Sequence, residues 1–144
     1  MKSRALVVVA VLTIGVTPAL ASGGPVNLVA TPAVKAALRA AFLKTHSTLA
    51  LTRVKGPLKG RTYYGRYHAV LYAVATFSIA RLGTTDQPEL FRRVPPRAWK
   101  DLGDTGGEVC PPVIPLPLIK LWGFVKTSYS IVKGKRVYCY APRR

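Results

Sequence analysis

The chain has 144 residues, and 22 Lys and Arg against 5 Asp and Glu give it a formal net charge of +17. This length suits a single domain, and a hydrophobic content of 49% excludes wholesale disorder. The scarcity of carboxylates disfavours many classes of enzyme before any motif is considered.

The first 21 residues have the pattern of a secretory signal peptide. Lys2 and Arg4 precede an apolar stretch over residues 6–16, and a small-x-small cleavage pattern ends at Ala21. The apolar stretch is shorter than the roughly 20 residues of a membrane-spanning helix. The sequence therefore predicts a secreted or extracytoplasmic protein, released by cleavage near Ala21.

Residues 22–30 are mostly small and predict a flexible tether, and residues 31–144 predict a single domain. A helix is expected to start at Thr31 and Pro32, because the threonine oxygen can accept a first-turn N–H and proline has none to satisfy. Apolar residues then follow at helical spacing: Val34, Ala37, Leu38, Ala41 and Phe42. We expect this amphipathic helix to pack on a sheet, with a position on a membrane surface as the alternative.

The chain beyond the helix is rich in Val, Thr, Tyr, Phe and Ile, which favour strands. Short connections favour antiparallel neighbours. The predicted fold class is therefore α+β, with one N-terminal amphipathic helix packed on an antiparallel sheet of four to six strands, plus a short C-terminal helix opened by Pro117. The predicted strands are residues 48–54, 62–67, 70–79, 90–94, 98–102, 128–132 and 136–140, the last two joined around residues 133–135.

Side chains alternate along residues 70–79. Ala73, Ala75 and Phe77 share one face, which we expect to contact the helix, while the other face is half polar. The alternation predicts that Phe77 and Phe42 are buried facing each other between helix and sheet.

Two cysteines, Cys110 and Cys139, lie in the exported part of the chain. An even count in an oxidising compartment predicts one intrachain disulfide. A metal site is the alternative, but the close ligand pairs are missing and only His46 and His68 could complete it. We therefore expect no metal and no cofactor.

The five acids all lie between Asp86 and Glu108, so two acid-free basic blocks flank them. Such a charge attracts anions: an anionic envelope polymer, an anionic lipid surface or an acidic protein. The alternative is that the charge only keeps the protein soluble. The candidate anion-binding residues are Lys55, Lys59, Arg61, Lys133, Lys135 and Arg136.

Nucleic acid is a less favoured partner. Residues 61–67 interleave tyrosine with arginine, as in a single-strand binding face, but no DNA-binding or RNA-binding motif accompanies them. A secreted chain also rarely meets nucleic acid as its main partner.

The motifs of common hydrolases are missing. The sequence has no G-x-S-x-G turn, and the acids of residues 101–108 do not have the spacing of a calcium-binding loop. His46 is expected at the helix end, where the helix dipole favours a cation. No residue is assigned a catalytic role; the weak candidates are His68, Asp86, Asp101 and Asp104.

Three stretches, residues 72–77, 84–91 and 99–107, resemble a small exported domain of high-GC Gram-positive bacteria. The resemblance implies export and carries over no catalytic residue. The sequence therefore predicts a basic, non-enzymatic binding domain that is secreted or associated with a bacterial cell envelope. One alternative is a small extracellular hydrolase of a wall or extracellular polymer; another is a cationic membrane-active or inhibitory protein.

Overall fold

The computed structural model describes residues 23–80, 83–84 and 87–143. Within these ranges the chain is α+β, with two helices and an antiparallel sheet of five strands. The segment predicted to be a signal peptide lies outside the described residues. In chain order the elements are β1 (Pro25–Asn27), α1 (Pro32–Thr45), a 3₁₀ turn (Leu51–Arg53), β2 (Val54–Lys55), β3 (Thr62–Tyr67), β4 (Val70–Ala75), β5 (Ser78–Ile79), β6 (Gly83–Thr84), β7 (Glu89–Arg93), β8 (Lys100–Asp104), α2 (Leu116–Leu121), β9 (Val125–Val132) and β10 (Lys135–Ala141).

The five-stranded sheet has the order β1-β3-β4-β7-β8, and every neighbouring pair is antiparallel. Strand β1 lies inside the segment expected to be a tether, and it pairs Val26 with Arg66 of β3. Gly65 makes this pairing possible, since a Cβ there would lie 2.7 Å from the Val26 carbonyl oxygen and 2.8 Å from the Leu118 side chain. The tether prediction missed this strand because residues 22–30 carry no strand pattern of their own.

Helix α1 covers one face of the sheet. The Val34 N–H donates to the Thr31 hydroxyl oxygen at 3.3 Å, which satisfies a first-turn amide. The buried side of the helix contacts the sheet through Phe42, whose ring stacks on Phe77 at 4.4 Å between centroids. Both rings are at most 1% exposed, as the alternation of residues 70–79 predicts.

The second face of the sheet is also covered. Tyr72, Val74 and Leu90 pack there against α2 and Phe124. The half-polar pattern of residues 70–79 predicts a half-buried strand with one face toward the helix, and this prediction is wrong, because Tyr72, Val74 and Thr76 on the other face are buried as well. The second face is buried because the C-terminal part of the chain folds back across the sheet and covers Val74 completely.

Of the seven predicted strands, residues 62–67 have the predicted bounds, and four are shifted or extended by one to three residues: 90–94, 98–102, 128–132 and 136–140. The other two differ more. Residues 48–54 form a bend and the 3₁₀ turn, and only Val54 joins a strand. Residues 70–79 break after Ala75, because the turn before β3 takes up the backbone groups of Thr76. The Leu58 N–H donates to the Thr76 carbonyl at 2.9 Å, and the Thr76 N–H donates to the Arg61 carbonyl at 3.1 Å.

Strands β9 and β10 form a separate two-stranded ribbon. The predicted disulfide between Cys110 and Cys139 is present and attaches the ribbon to the loop after β8. Val109 and Tyr140 add two backbone hydrogen bonds of 2.7 and 3.0 Å at the same place. Neither helix of the described ranges is long and apolar enough to cross a membrane.

Candidate anion-binding surface

The outer face of the ribbon presents cations stacked on aromatic rings. The Lys126 ammonium lies 4.0 Å from the centre of the Tyr138 ring, and the Arg136 guanidinium lies 4.5 Å from that of Tyr129. We call these four residues the ribbon ladder. The tyrosines are 41% and 54% exposed, and neighbouring Ile131 is 61% exposed, so the ladder faces solvent.

The register of the ribbon explains why these side chains share a face. Tyr138 lies opposite Tyr129, and Arg136 lies opposite Ile131. Because side chains alternate between the two faces of an antiparallel pair, these two facing pairs all point outward. A register shift between Cys139 and Tyr140 then brings Lys126 onto the same face, over the ring of Tyr138.

The opposite face of the ribbon contacts the rest of the domain near the base of the ribbon. Cys139 is 2% exposed there, and the Ser128 hydroxyl donates to the Glu108 carboxylate. This hydrogen bond, with a smaller contribution from Thr127, lowers the pKa of Glu108. Glu108 is thereby engaged on the inner face, and no acid follows it in the sequence. The ladder therefore has a positive potential with no carboxylate among its own residues.

The candidate cations of the sequence lie at two places. Lys133, Lys135 and Arg136 are exposed at the turn and the first residues of β10. Lys55, Lys59 and Arg61 lie on β2 and in the connection to β3, also exposed. Arg61, together with Arg143, lines a cavity at the base of the ribbon.

The weak catalytic candidates do not come together. His68 lies in the turn after β3, where its N–H donates to the Gly23 carbonyl and its ring contacts Tyr67. By the register of the sheet this turn is at the end opposite Glu89 and Asp104. Asp104 accepts a hydrogen bond from the Gly106 N–H in a tight turn, and Asp86 lies outside the described residues.

Asp101 belongs to a different group, at the C-terminal end of α1. Its Oδ2 atom lies 3.9 Å from Nδ1 of His46, and Oε1 of Glu89 lies 4.0 Å from Nε2 of the same ring. Burial raises the pKa of Glu89 to about 7, helped by the charge of Asp101 and opposed by that of His46. Burial likewise raises the pKa of Asp101, against the hydrogen bond from the Gly103 N–H.

The two acids of this acid–imidazole group are closed to substrates, while the His46 side chain is 37% exposed. The Asp101 side chain is fully buried and that of Glu89 is 6% exposed. Nδ1 of His46 lies 3.0 Å from the Phe42 carbonyl, which can only accept, so this nitrogen carries the proton. Separations of 3.9 to 4.0 Å are too long for direct hydrogen bonds to the acids. Within the described ranges no group of three or more His, Cys, Asp or Glu side chains is arranged to hold a metal ion.

Neither the tyrosines of the ladder nor Glu89 was among the functional residues predicted from the sequence. The pairing of Tyr129 with Tyr138 depends on the exact length of the turn between β9 and β10, because one residue more or less shifts the register of the two strands. Glu89 lies just before the predicted strand that starts at residue 90. It is two residues from Phe91 and therefore on the same face of the strand, and this spacing is the sequence signal for a buried acid.

Comparison of the chain with family models, with curated proteins and with solved structures found no match.

Proposed function

We propose that this protein is a non-enzymatic binding domain for an anionic envelope polymer, which it holds on the ribbon ladder. The observation that carries the proposal is the pairing of Lys126 with Tyr138 and of Arg136 with Tyr129 on one exposed face. The tyrosine rings hold the two stacked cations on one exposed face, and the cations attract the charge of a repeating unit.

A polymer suits this surface better than a small ligand. Strand β9 has 8 residues, so the ribbon extends over about 25 Å at the usual rise of a strand. Lys133 and Lys135 continue the positive charge from the ladder to the tip. Several repeating charges along one chain can therefore be contacted at once, which favours a polyanion over a single anion.

An extracytoplasmic location supports this choice of partner. The signal-peptide pattern of the first 21 residues supports export. The disulfide between Cys110 and Cys139 is consistent with an oxidising compartment outside the cytoplasm. An anionic wall or surface polymer is the polyanion that an exported bacterial domain would meet.

A hydrolase finds less support. The acids with raised pKa values are shut off from solvent around His46, and His68 lies at the other end of the sheet. A general acid must reach the proton acceptor of its substrate, and buried Asp101 does not.

The test is a binding titration of the oxidised protein with polyglycerol phosphate, and with dextran as the uncharged polymer. We expect the protein to bind the polyanion only. The affinity should fall at 1 M salt, because the screening length is about 10 Å at 0.1 M salt and about 3 Å at 1 M. Lys126→Glu with Arg136→Glu should weaken binding by at least about tenfold, and Tyr129→Ala with Tyr138→Ala should weaken it at low salt as well.

Arg97→Glu with Lys100→Glu is the matched control, because it reverses the same number of charges at exposed cations before and on β8, away from the ribbon. Equal losses for this control and for the charge-reversed ladder variant would overturn the ribbon ladder as the site. Stronger binding to phosphatidylglycerol vesicles or to oligodeoxythymidine than to the polymer would overturn the choice of partner.

A further inference from the structure

A cavity of about 700 Å³ opens at the base of the ribbon. It lies between the turn before β3, the break after β4 and the residues that follow β10. Its volume is in the range of small-molecule sites, about 300–1,000 Å³. The side chains that matter for recognition are Arg61, Tyr63, Thr76, Pro88 and Arg143.

The walls of this cavity are held by the fold. The Arg61 carbonyl accepts from the Thr76 N–H, which fixes the backbone that carries the first arginine. The Tyr63 ring packs edge-on against Phe124 at 4.5 Å. On the ribbon side, the disulfide and the backbone pairing of Val109 with Tyr140 hold the strand that leads to Arg143. The backbone around the cavity is therefore held in place, while the Arg61 and Arg143 side chains are exposed to solvent.

The charge of the cavity selects the ligand. Two guanidinium groups contribute two positive charges, and no acid is present among its described lining residues. A carboxylate would neutralise one of them, whereas a phosphate monoester, which carries close to two negative charges, matches both. Guanidinium groups also bind phosphate oxygens through paired hydrogen bonds. The Tyr63 ring and Pro88 supply apolar surface for the rest of the molecule.

We propose that this cavity is a second binding site, for a small organic phosphate monoester whose phosphate lies between Arg61 and Arg143. The site goes beyond the polymer surface, since none of the four residues of the ribbon ladder lines it. It binds one molecule with a charged and an apolar end, while the ladder binds a repeating chain.

The experiment titrates the oxidised protein with phenyl phosphate and follows backbone amide NMR shifts. We expect shifts at Thr76 and Gly107, which line the cavity, and weaker binding of benzoate, of inorganic phosphate and of phenol. Arg61→Gln with Arg143→Gln should weaken phenyl phosphate by at least about tenfold. Arg61→Lys with Arg143→Lys keeps the charge but loses the paired geometry, and it should give an intermediate affinity.

Arg92→Gln with Arg97→Gln is the matched control, because it removes the same number of charges at exposed arginines on and after β7, at the other end of the sheet. Shifts confined to Tyr129 and Tyr138, no shifts at all, or unchanged affinity in the glutamine variant would each overturn the cavity as a phosphate site. The same glutamine variant should still bind polyglycerol phosphate. Failure of the cavity is thereby separated from failure of the polymer proposal.

Discussion

The Nε2 atom of His46 lies 4.0 Å from the Oε1 atom of Glu89, so the end of helix α1 faces a carboxyl group that strand β7 buries to 4% exposure. A helix carries partial negative charge at its C-terminus, and Asp101 is a second acid beside the same ring. Ionised Glu89 is therefore poorly stabilised there. Burial first, and the charge of Asp101 second, raise its pKa to about 7, while His46 opposes the shift.

This relationship predicts how stability depends on pH. Because the pKa of Glu89 in the folded protein exceeds its ordinary value of 4.5, the folded state binds the proton more tightly. The resulting stabilisation is complete below about pH 4.5 and is lost as the pH rises through about 7. Glu89→Gln should therefore have little effect at about pH 4.5 and raise the free energy of unfolding by about 2–3 kcal/mol at about pH 8. Urea denaturation at both pH values measures this difference.

Glu108 supplies a control of opposite sign. The Ser128 hydroxyl lowers the pKa of Glu108, so its stabilisation is present above the ordinary pKa and lost as the pH falls. Glu108→Gln should therefore destabilise the protein at neutral pH and have less effect in acid. A Glu89→Gln effect that is constant across this range would contradict a buried, titrating carboxyl group.

The stacked pair Phe42 and Phe77 should dominate the core between helix and sheet. Each ring is at most 1% exposed, so Phe42→Ala or Phe77→Ala should lower the free energy of unfolding by about 3–5 kcal/mol. Val29→Ala is the control, since Val29 is 85% exposed and its truncation should change little. Equal, small effects of all three changes would mean that the core lies elsewhere.

Local sequence signals predicted some elements well. The start of helix α1 follows from Thr31 and Pro32, which satisfy or remove first-turn amides without help from distant residues. The facing of Phe42 and Phe77 follows from the helical and alternating periods of the two segments. The disulfide follows from two cysteines in a chain whose first 21 residues have a signal-peptide pattern.

Other features depend on contacts between distant parts of the chain. Strand β1 forms because Gly65 leaves room for its backbone, and residues 25–27 carry no matching signal. The break at Thr76 arises from hydrogen bonds to Leu58 and Arg61. The acid–imidazole group at Glu89 requires the helix end and two strands to meet, so the sequence indicated His46 and Asp101 separately but not Glu89, the grouping of the three or the burial of the acids.

Gly65→Ala tests the close approach of β1 to β3. The added Cβ would lie 2.7 Å from the Val26 carbonyl oxygen, and backbone must shift to relieve this contact. We expect a loss of about 1–3 kcal/mol in the free energy of unfolding and faster hydrogen exchange of the β1 amides. Gly24→Ala is the matched control, because a Cβ at Gly24 meets nothing within 4 Å. If the two variants are equally stable, the close approach is wrong.

The disulfide predicts that the unfolded, unreduced protein contains no titratable thiol. Cys110 and Cys139 are 29 positions apart, and closing a loop of this length contributes about 3–4 kcal/mol in the chain-entropy model. Cys110→Ser with Cys139→Ser should therefore lower the free energy of unfolding by that amount. Two titratable thiols per chain would contradict the bond.

At the turn of the ribbon, the residue that favours folding differs from the residue that adds positive charge. Lys133 and Gly134 have φ values of 50° and 73°, and a two-residue hairpin turn with both values positive favours Asn followed by Gly. A lysine in this conformation is strained, so Lys133→Asn should stabilise the ribbon by about 0.5–1 kcal/mol. Gly134→Ala should act in the opposite direction, since its added Cβ is strained at the same φ. Hydrogen exchange of the Val132 and Lys135 amides, which flank the turn, measures both effects.

If the ladder carries the polymer, Lys133→Asn loses only one peripheral charge. It should therefore weaken the binding of polyglycerol phosphate far less than Lys126→Glu with Arg136→Glu. A loss as large as that of the ladder variant would place the binding site at the tip of the ribbon instead.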